Sequence, residues 1–305
     1  MRNALHDLTA GLRRANPIGV SRSVLALGSL STLLLSDERS LFLTFLPNAA
    51  ASGCVGAGRF GLFCVSEVIT NGLTLATIAA VLVLVGVISG FAPRILAVPH
   101  FYVAWSVSQN VVLVEGGDQV NAAMTMLLIP WLLSAPRGSA YSPQTPYFDL
   151  LRENAFAYGA AELIRLQLSI VYAIAAVAKF AVPQWSDGTA FWYWLQMPTF
   201  GLPPDMFAAF APVLEHPLIM VTATYAVLVF ELSLVGVIWM RGRWSRLLLG
   251  AGIAFHAGIA IVLGLWSFGI TMAGALLICR ALQNAAVFSI NVQRPGARSV
   301  VLGKG

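Results

Sequence analysis

The sequence predicts an all-α fold: a polytopic integral membrane helical bundle of about eight transmembrane helices with one interfacial or re-entrant segment. Of its 305 residues, 58% are hydrophobic and only 10% are charged, and the mean hydropathy is +0.80. Soluble domains carry about a quarter charged residues. Eight apolar runs also have the length of about 20 residues that a helix needs to cross the hydrocarbon core. Together these observations indicate a membrane protein.

The eight runs divide the chain into elements. Residues 1–17 are expected to form an amphipathic interfacial helix that is retained, because they lack the small-residue cleavage site of a signal peptide. Residues 288–305 are polar and are expected to form a cytoplasmic tail. The predicted spans of the transmembrane domain, 18–287, are residues 18–36, 72–93, 97–115, 119–135, 157–181, 217–239, 247–265 and 267–287.

The positive charges indicate the orientation of these spans. With the N-terminus inside, 15 of the 18 lysines and arginines fall on the cytoplasmic side, as the positive-inside rule requires. Both termini are then cytoplasmic, and the loops 37–71 and 182–216 lie outside. The net charge of +5 does not indicate nucleic-acid binding, because no basic patch alternates with aromatic residues.

Two of the three cysteines fall in the first outer loop. Cys54 and Cys64, in "CVGAGRFGLFC", are expected to form a disulfide because that compartment is oxidising; the alternative is two unpaired thiols. Cys279 is expected only to pack inside the last span. Three cysteines are too few for a metal cluster, so no metal site is expected.

Two ionisable residues lie deep in neighbouring spans. Glu231 precedes Arg241 by ten residues, and His256 follows Arg246 by ten, so both lie about 15 Å from the cytoplasmic edge. The two helices are consecutive and antiparallel, so Glu231 and His256 are expected to meet. Such a pair is either a structural hydrogen bond or part of a proton relay or polar cavity.

The third and fourth spans carry a second set of polar residues. Gln109 and Asn110 lie within the third span and favour hydrogen bonds between helices over a substrate site. Glu115 and Asp118 flank the turn at Gly116 and Gly117. This turn is expected to form a compact polar mouth.

Lys179 ends the apolar stretch "VYAIAAVAKFAVPQW" at the outer end of the fifth span. Its position alone favours an anchor, because lysines at helix ends extend to the interface. The segment after it is rich in aromatic residues and prolines and is too broken to span. We expect this segment, within 182–216, to cover Lys179 as a lid. A buried lysine loses its charge readily and becomes a usable base.

Two motifs resemble known families. "YAIAAVAKFAVPQWSDGTAF" resembles the lysine-containing segment of the HTTM superfamily, which is related to vitamin K-dependent γ-carboxylase. "PHFYVAWSVSQ", "EGGDQV" and "LLIP", with the cysteine-bearing loop and the chain length, resemble the SdpB family. The second resemblance implies a bacterial cytoplasmic-membrane protein. It would act with a small SdpA-like partner to turn a secreted precursor into a sporulation-delaying-type antimicrobial peptide toxin.

The resemblance also implies roles for individual residues. Lys179 would be the candidate base, as in the carboxylases, where the matching lysine is understood to deprotonate a reduced quinone; Glu231 and His256 are further catalytic candidates. A reduced membrane quinone is therefore the implied cofactor. The candidate substrate- or quinone-binding residues, from the motifs and the lid, are His100, Gln109, Asp118, Trp185, Asp187 and Trp192.

Three functional hypotheses remain open. The first is a maturation component for a secreted toxin peptide. The second is a quinone-dependent carboxylase or epoxidase of unknown substrate, although Ala176 and Ala178 stand where the carboxylase pattern has glycine and often a second lysine. No large extra-membrane domain is expected, so capture of a precursor peptide would need a partner. The third is a transporter or immunity protein without chemistry.

Overall fold

In the computed structural model of the chain, helices are the regular secondary structure of the described residues. The structure describes residues 16–36, 41–42, 54–66, 70–112, 115–135, 138–142 and 154–292, with side chains as far as residue 283. The α-helices are α1 (Pro17–Leu35), α2 (Leu62–Val65), α3 (Gly72–Ile88), α4 (Ala97–Asn110), α5 (Gly116–Ser134), α6 (Ala155–Lys179), α7 (Pro183–Ser186), α8 (Ala190–Trp194), α9 (Pro204–Leu214), α10 (Pro217–Val237), α11 (Arg243–Leu263) and α12 (Trp266–Val292). No strand occurs in these residues, so the all-α prediction is confirmed.

Five helices are long and apolar enough to cross a membrane: α1, α6, α10, α11 and residues Trp266–Gln283 of α12. The other three predicted spans coincide with α3, α4 and α5. Of these, α3 has 17 residues, α4 has 14, and α5 carries Asp118 and Asn121 in its first turns. The count of eight spans therefore stays a prediction. The expected N-terminal helix and most of the expected tail lie outside the described residues.

Local sequence signals explain where the long helices begin. The Asn16 side chain accepts a hydrogen bond from the Ile18 N–H at the start of α1, and Pro17 occupies the first helical position. Asn154 caps α6 by accepting from two backbone N–H groups. Caps of this kind satisfy the orphan donors of a first turn. Proline suits the first turn because its missing N–H is not needed there.

The exposed surface of the long helices is apolar, as lipid contact requires. Leu82 of α3, Val229 of α10 and Ile261 of α11 are 67%, 67% and 69% exposed. The inward face of α6 is mostly apolar as well, with buried apolar residues at positions 157, 161, 164 and 168 beside the buried Arg165 and Ser169. A helix that is apolar on every side belongs in a membrane or in the centre of a large protein. The membrane assignment follows from these exposed faces.

Helices α1 and α12 pack closely in the centre of the bundle. A Cβ atom at Gly274 would lie 3.0 Å from the Leu25 side chain, and one at Gly28 would collide with the Thr271 hydroxyl. Small residues let the backbones of membrane helices approach closely and pack. The largest core cluster lies here, and it includes residues of α1, α5, α6 and α12.

The predicted disulfide is confirmed. Cys54 and Cys64 are joined, with their Cα atoms 5.6 Å apart. The loop between them contains a short 3-10 helix, Gly56–Phe60. Its backbone is held by α4: the Tyr102 hydroxyl donates to the Phe60 carbonyl at 2.9 Å, and the Asn110 amide donates to the Gly58 carbonyl at 2.8 Å. The Asn110 side chain therefore has a structural role: it holds the disulfide loop against α4.

Candidate functional site

A cavity of about 770 Å³ lies where the ends of α5, α6 and α12 meet α8, α10 and α11. Most of its lining is apolar and aromatic. Three ionisable side chains line it as well: Glu115, Lys179 and Glu231. Ligand pockets commonly have this character, with an apolar lining and a few convergent polar groups. We therefore take this cavity as the candidate functional site.

Lys179 and Glu231 form an ion pair at the wall of the cavity. The Lys179 Nζ donates to both carboxylate oxygens of Glu231, at 2.7 and 2.9 Å, and to the Ala175 carbonyl at 3.3 Å. The side chains are only 19% and 9% exposed. The ammonium group is thus turned into the bundle toward α10, rather than extended away from it as an anchor would be.

Residues 183–200, here called the aromatic segment, cover the ion pair. The indole of Trp185 is buried, and the Lys179 Nζ lies 5.3 Å from its ring centroid. Trp194 packs edge-on against Trp185 at 5.8 Å, and Phe200 packs against Trp194 at 5.3 Å. A lysine ammonium within about 6 Å of an indole face is attracted to it. The aromatic segment thus contributes one wall of the cavity and one partner of Lys179.

Hydrogen bonds tie the aromatic segment to α10. The Thr224 hydroxyl donates to the Gly188 carbonyl at 3.0 Å, and the Tyr225 hydroxyl donates to the Ser186 carbonyl at 2.6 Å. Gly188 has a φ of +84°, which glycine adopts at no steric cost. Asp187 accepts from the Thr189 N–H at 3.0 Å and from the Thr189 hydroxyl at 2.6 Å, so it stabilises this turn.

The hydrogen bond expected between Glu231 and His256 is not formed, although both side chains are buried. His256 is buried, and its Nε2 shares a hydrogen bond with the Tyr172 hydroxyl at 2.8 Å, while its Nδ1 has no hydrogen-bond partner. Glu231 bonds instead to Lys179. Both partners come from α6, where Tyr172 and Lys179 are seven residues apart and share one face. Adjacency of α10 and α11 in the sequence did not decide the contact, because a third helix supplies the partners.

The other candidate binding residues lie apart from the cavity lining. His100 accepts from the Arg22 Nε at 3.4 Å, and Arg22 also donates to the Pro93 and Leu96 carbonyls, so this cluster holds the turn before α4. Gln109 is exposed and donates only to the neighbouring Ser108 hydroxyl, at 3.4 Å.

Two more of these candidates have packing or hydrogen-bonding partners elsewhere. Trp192 packs edge-on against Phe207 of α9. Asp118 is buried and accepts from the Thr32 and Ser267 hydroxyls. Of the six candidate binding residues, the structure brings only Trp185 to the cavity with Lys179 and Glu231.

Several lining residues were not predicted. Phe255 and Phe268 carry no sequence signal that separates them from ordinary apolar residues. Tyr172 could have been found, because it lies two turns before Lys179 on the same face. Glu115 was expected at a polar mouth, and it lines the cavity and accepts from the Phe268 N–H at 3.2 Å.

The described residues hold no group of three or more histidine, cysteine, aspartate or glutamate side chains suited to a metal ion. The ionisable groups that line the cavity are instead one ammonium and two carboxyl groups. Such a set can bind a polar headgroup, position a molecule in the apolar volume and move a proton.

The chain is similar to two proteins of Bacillus subtilis (strain 168). It is 30% identical to the uncharacterized protein YitO over 263 residues, which is 86% of this chain and 84% of YitO. It is 28% identical to the sporulation-delaying protein SdpB over 263 residues, 86% of this chain and 80% of SdpB. No protein-family model and no solved structure matches the chain.

Proposed function

Because the chain belongs to the family of the sporulation-delaying protein SdpB, we propose that it is a membrane component needed to mature a secreted antimicrobial peptide toxin. It would act on a toxin precursor peptide together with a small SdpA-like partner. The observation that carries this proposal is the Lys179–Glu231 ion pair at the wall of an apolar cavity. Buried charges inside membrane bundles are expensive and usually mark functional sites.

The cavity suits a lipid-soluble molecule or an apolar peptide segment. Its volume of about 770 Å³ lies within the usual range for ligand pockets, about 300–1,000 Å³. Aromatic rings form much of its lining, and the charged pair is confined to one region of the wall. A bound molecule would therefore bury its apolar part among the rings and direct a polar group toward Lys179.

The ion pair gives Lys179 a route to its neutral form. The Lys179 Nζ and a Glu231 oxygen are 2.7 Å apart, so a proton can pass directly from one to the other. The products are a neutral amine and a neutral carboxylic acid, and removing two charges from an apolar site reduces the desolvation cost. The neutral amine is a base. Arginine cannot replace it, because a guanidinium stays charged at any working pH.

The aromatic lining favours a second candidate function, in which a reduced membrane quinone is the cofactor of a carboxylase or epoxidase. Trp185, Trp194 and Phe268 offer ring faces and edges against which a planar quinone ring fits. When bound, a reduced quinone would supply reducing equivalents. Lys179, as the neutral amine, would accept the proton of the ring hydroxyl facing it, which would leave an ammonium beside the deprotonated ring oxygen and Glu231 as the neutral acid.

The test is a deletion of the gene in its host, complemented with wild-type chain, Lys179→Arg or Lys179→Ala. Mass spectrometry of secreted peptides gives the yield of mature toxin, and an immunoblot of membranes gives the amount of protein. Lys179→Arg is the diagnostic variant because it keeps the positive charge beside Glu231. We expect both variants to lower the yield by at least about a hundredfold, as loss of a general base does, at an unchanged amount of protein.

The chain offers a matched control, because Lys304 is its only other lysine. Lys304→Arg should give the wild-type yield. A wild-type yield from Lys179→Arg would assign Lys179 to a structural role, and secretion of unchanged mature peptide by the deletion strain would favour the transporter or immunity hypothesis. A secreted peptide heavier by one carbon dioxide in wild-type cells alone would favour the carboxylase.

A further inference from the structure

A second buried polar cluster lies between α1, α5 and α12. Asp118 of α5 is 1% exposed, and its Oδ1 accepts from the Thr32 hydroxyl of α1 at 3.1 Å and the Ser267 hydroxyl of α12 at 3.3 Å. Within the described residues, no lysine, arginine or histidine forms a salt bridge with it. A carboxylate in such a place needs a cation or a proton, because an isolated buried charge is very costly.

Three oxygen atoms of this cluster have no hydrogen-bond partner among the described residues. They are the Asp118 Oδ2, the Asn121 Oδ1 and the Thr271 Oγ1. Asn121 and Thr271 are both 0% exposed. The large majority of buried polar atoms in proteins are hydrogen-bonded. Three orphan oxygens at one interface therefore indicate that something other than the protein binds them.

These side chains lie on facing surfaces of the three helices. Asp118 and Asn121 are one turn apart on α5, as are Ser267 and Thr271 on α12, so each pair shares a helix face. The Asn121 Nδ2 donates to the Leu25 carbonyl and the Ser29 hydroxyl of α1, both at 2.8 Å. These bonds fix which amide atom is nitrogen and leave the oxygen without a partner.

The Asn121 and Thr271 side chains both lie close to Gly28 of α1. A Cβ atom at Gly28 would collide with the Thr271 hydroxyl and would lie 3.6 Å from the Asn121 Nδ2. Thr32, which donates to Asp118, is one turn further along the same face of α1. The absence of a side chain at Gly28 thus leaves room for the Asn121 amide of α5 and the Thr271 hydroxyl of α12 to pack against α1.

We propose that Thr32, Asp118, Asn121, Ser267 and Thr271 form a binding site for a sodium ion. The three atoms of this cluster without a hydrogen-bond partner in the described part of the chain are all oxygens, the ligand atoms that hard cations prefer. The cluster contains one carboxylate, and a single positive charge neutralises it, whereas a divalent ion would leave a net buried charge. Glu115 is nearby, but it is only half-buried, accepts from the Phe268 N–H and lines the cavity. The ion would cross-link three central helices.

The test uses the purified full chain in lipid nanodiscs, with thermal unfolding followed as sodium chloride replaces choline chloride at constant ionic strength. An ion that binds only the folded state raises Tm, and the rise grows with the concentration of the ion. We expect a saturable rise for the wild type and none for Asp118→Asn. Thr271→Val should raise the sodium concentration for half-maximal stabilisation by at least about tenfold, the scale seen when groups supporting a metal are removed.

Thr271→Val separates binding from folding, because the Thr271 hydroxyl has no protein hydrogen bond to lose. Its Tm in choline chloride should be no lower than that of the wild type. Thr125→Val is the matched control: Thr125 donates only to the Asn121 and Ala122 carbonyls of its own helix, so the sodium response should remain. The proposal would be overturned if choline chloride raised Tm as much as sodium chloride does. It would also be overturned if Asp118→Asn kept the sodium response, or if Tm depended on pH but not on sodium.

Discussion

The ion pair between Lys179 and Glu231 allows a quantitative test of the site. The perturbations are Lys179→Met, Glu231→Met and the double replacement. Two unit charges 2.7 Å apart attract each other by about 6 kcal/mol at an effective dielectric constant of about 20. Burying the two groups costs several kcal/mol each, so the intact pair adds little net stability.

Breaking the pair has a larger effect than deleting it. Either single replacement leaves an uncompensated charge among apolar groups and should lower the free energy of unfolding by about 3–5 kcal/mol. The double replacement removes both charges and should be much closer to the wild type. The cycle should therefore give a coupling energy of several kcal/mol.

Reversible unfolding in mixed detergent micelles, followed by tryptophan fluorescence, measures the four free energies. A second cycle, with Glu231→Met and His256→Leu, is the control, because no hydrogen bond joins these two residues and its coupling should be clearly smaller. Effects of Lys179→Met and Glu231→Met that add within about 0.5 kcal/mol, or a larger coupling in the control cycle, would refute the reasoning.

Two further predictions concern α6 and the topology. Tyr172→Phe leaves the His256 Nε2 without its partner and should lower the free energy of unfolding by about 1–3 kcal/mol, whereas Tyr158→Phe on the exposed side of α6 should be neutral; equal stabilities in a denaturation series would contradict this. A cysteine in place of Ser186 should react with a membrane-impermeant maleimide on intact cells, and one in place of Met240 only after permeabilisation. The reverse pattern would overturn the predicted orientation. Background labelling should be low, because Cys54 and Cys64 are bonded and Cys279 is buried.

Features encoded locally were predictable from the sequence. The length of the apolar runs predicted the long helices. Asn16, Asn154 and Pro217 lie at the starts of three of these helices. The position of Cys54 and Cys64 in one loop predicted their disulfide. All these signals act within one helix or one short loop. They gave the all-α fold and the segment that covers Lys179 without any knowledge of which helices touch.

The pairings between helices were not predictable. Lys179 and Glu231 are 52 residues apart, and Tyr172 and His256 are 84 apart. In a soluble protein the apolar face of each helix shows which side turns inward. Here α10 is apolar all around, with Leu218, Val229 and Leu232 facing outward, so its sequence does not show which way Glu231 points. The partner of Glu231 therefore had to come from the structure.

The ammonium of Lys179 joins three parts of the molecule at once. It bonds to the Ala175 carbonyl at the end of α6 and to Glu231 on α10, and it lies over the Trp185 ring of the aromatic segment. In the proposed function, loss of its proton would remove the attraction to the ring and weaken the contact with α10, while the hydrogen bonds from Thr224 and Tyr225 would still hold the aromatic segment. Ligand binding in the cavity and protonation of Lys179 would then be linked equilibria. A ligand that binds beneath Trp185 and a proton that binds Lys179 must each change the affinity of the other by the same factor.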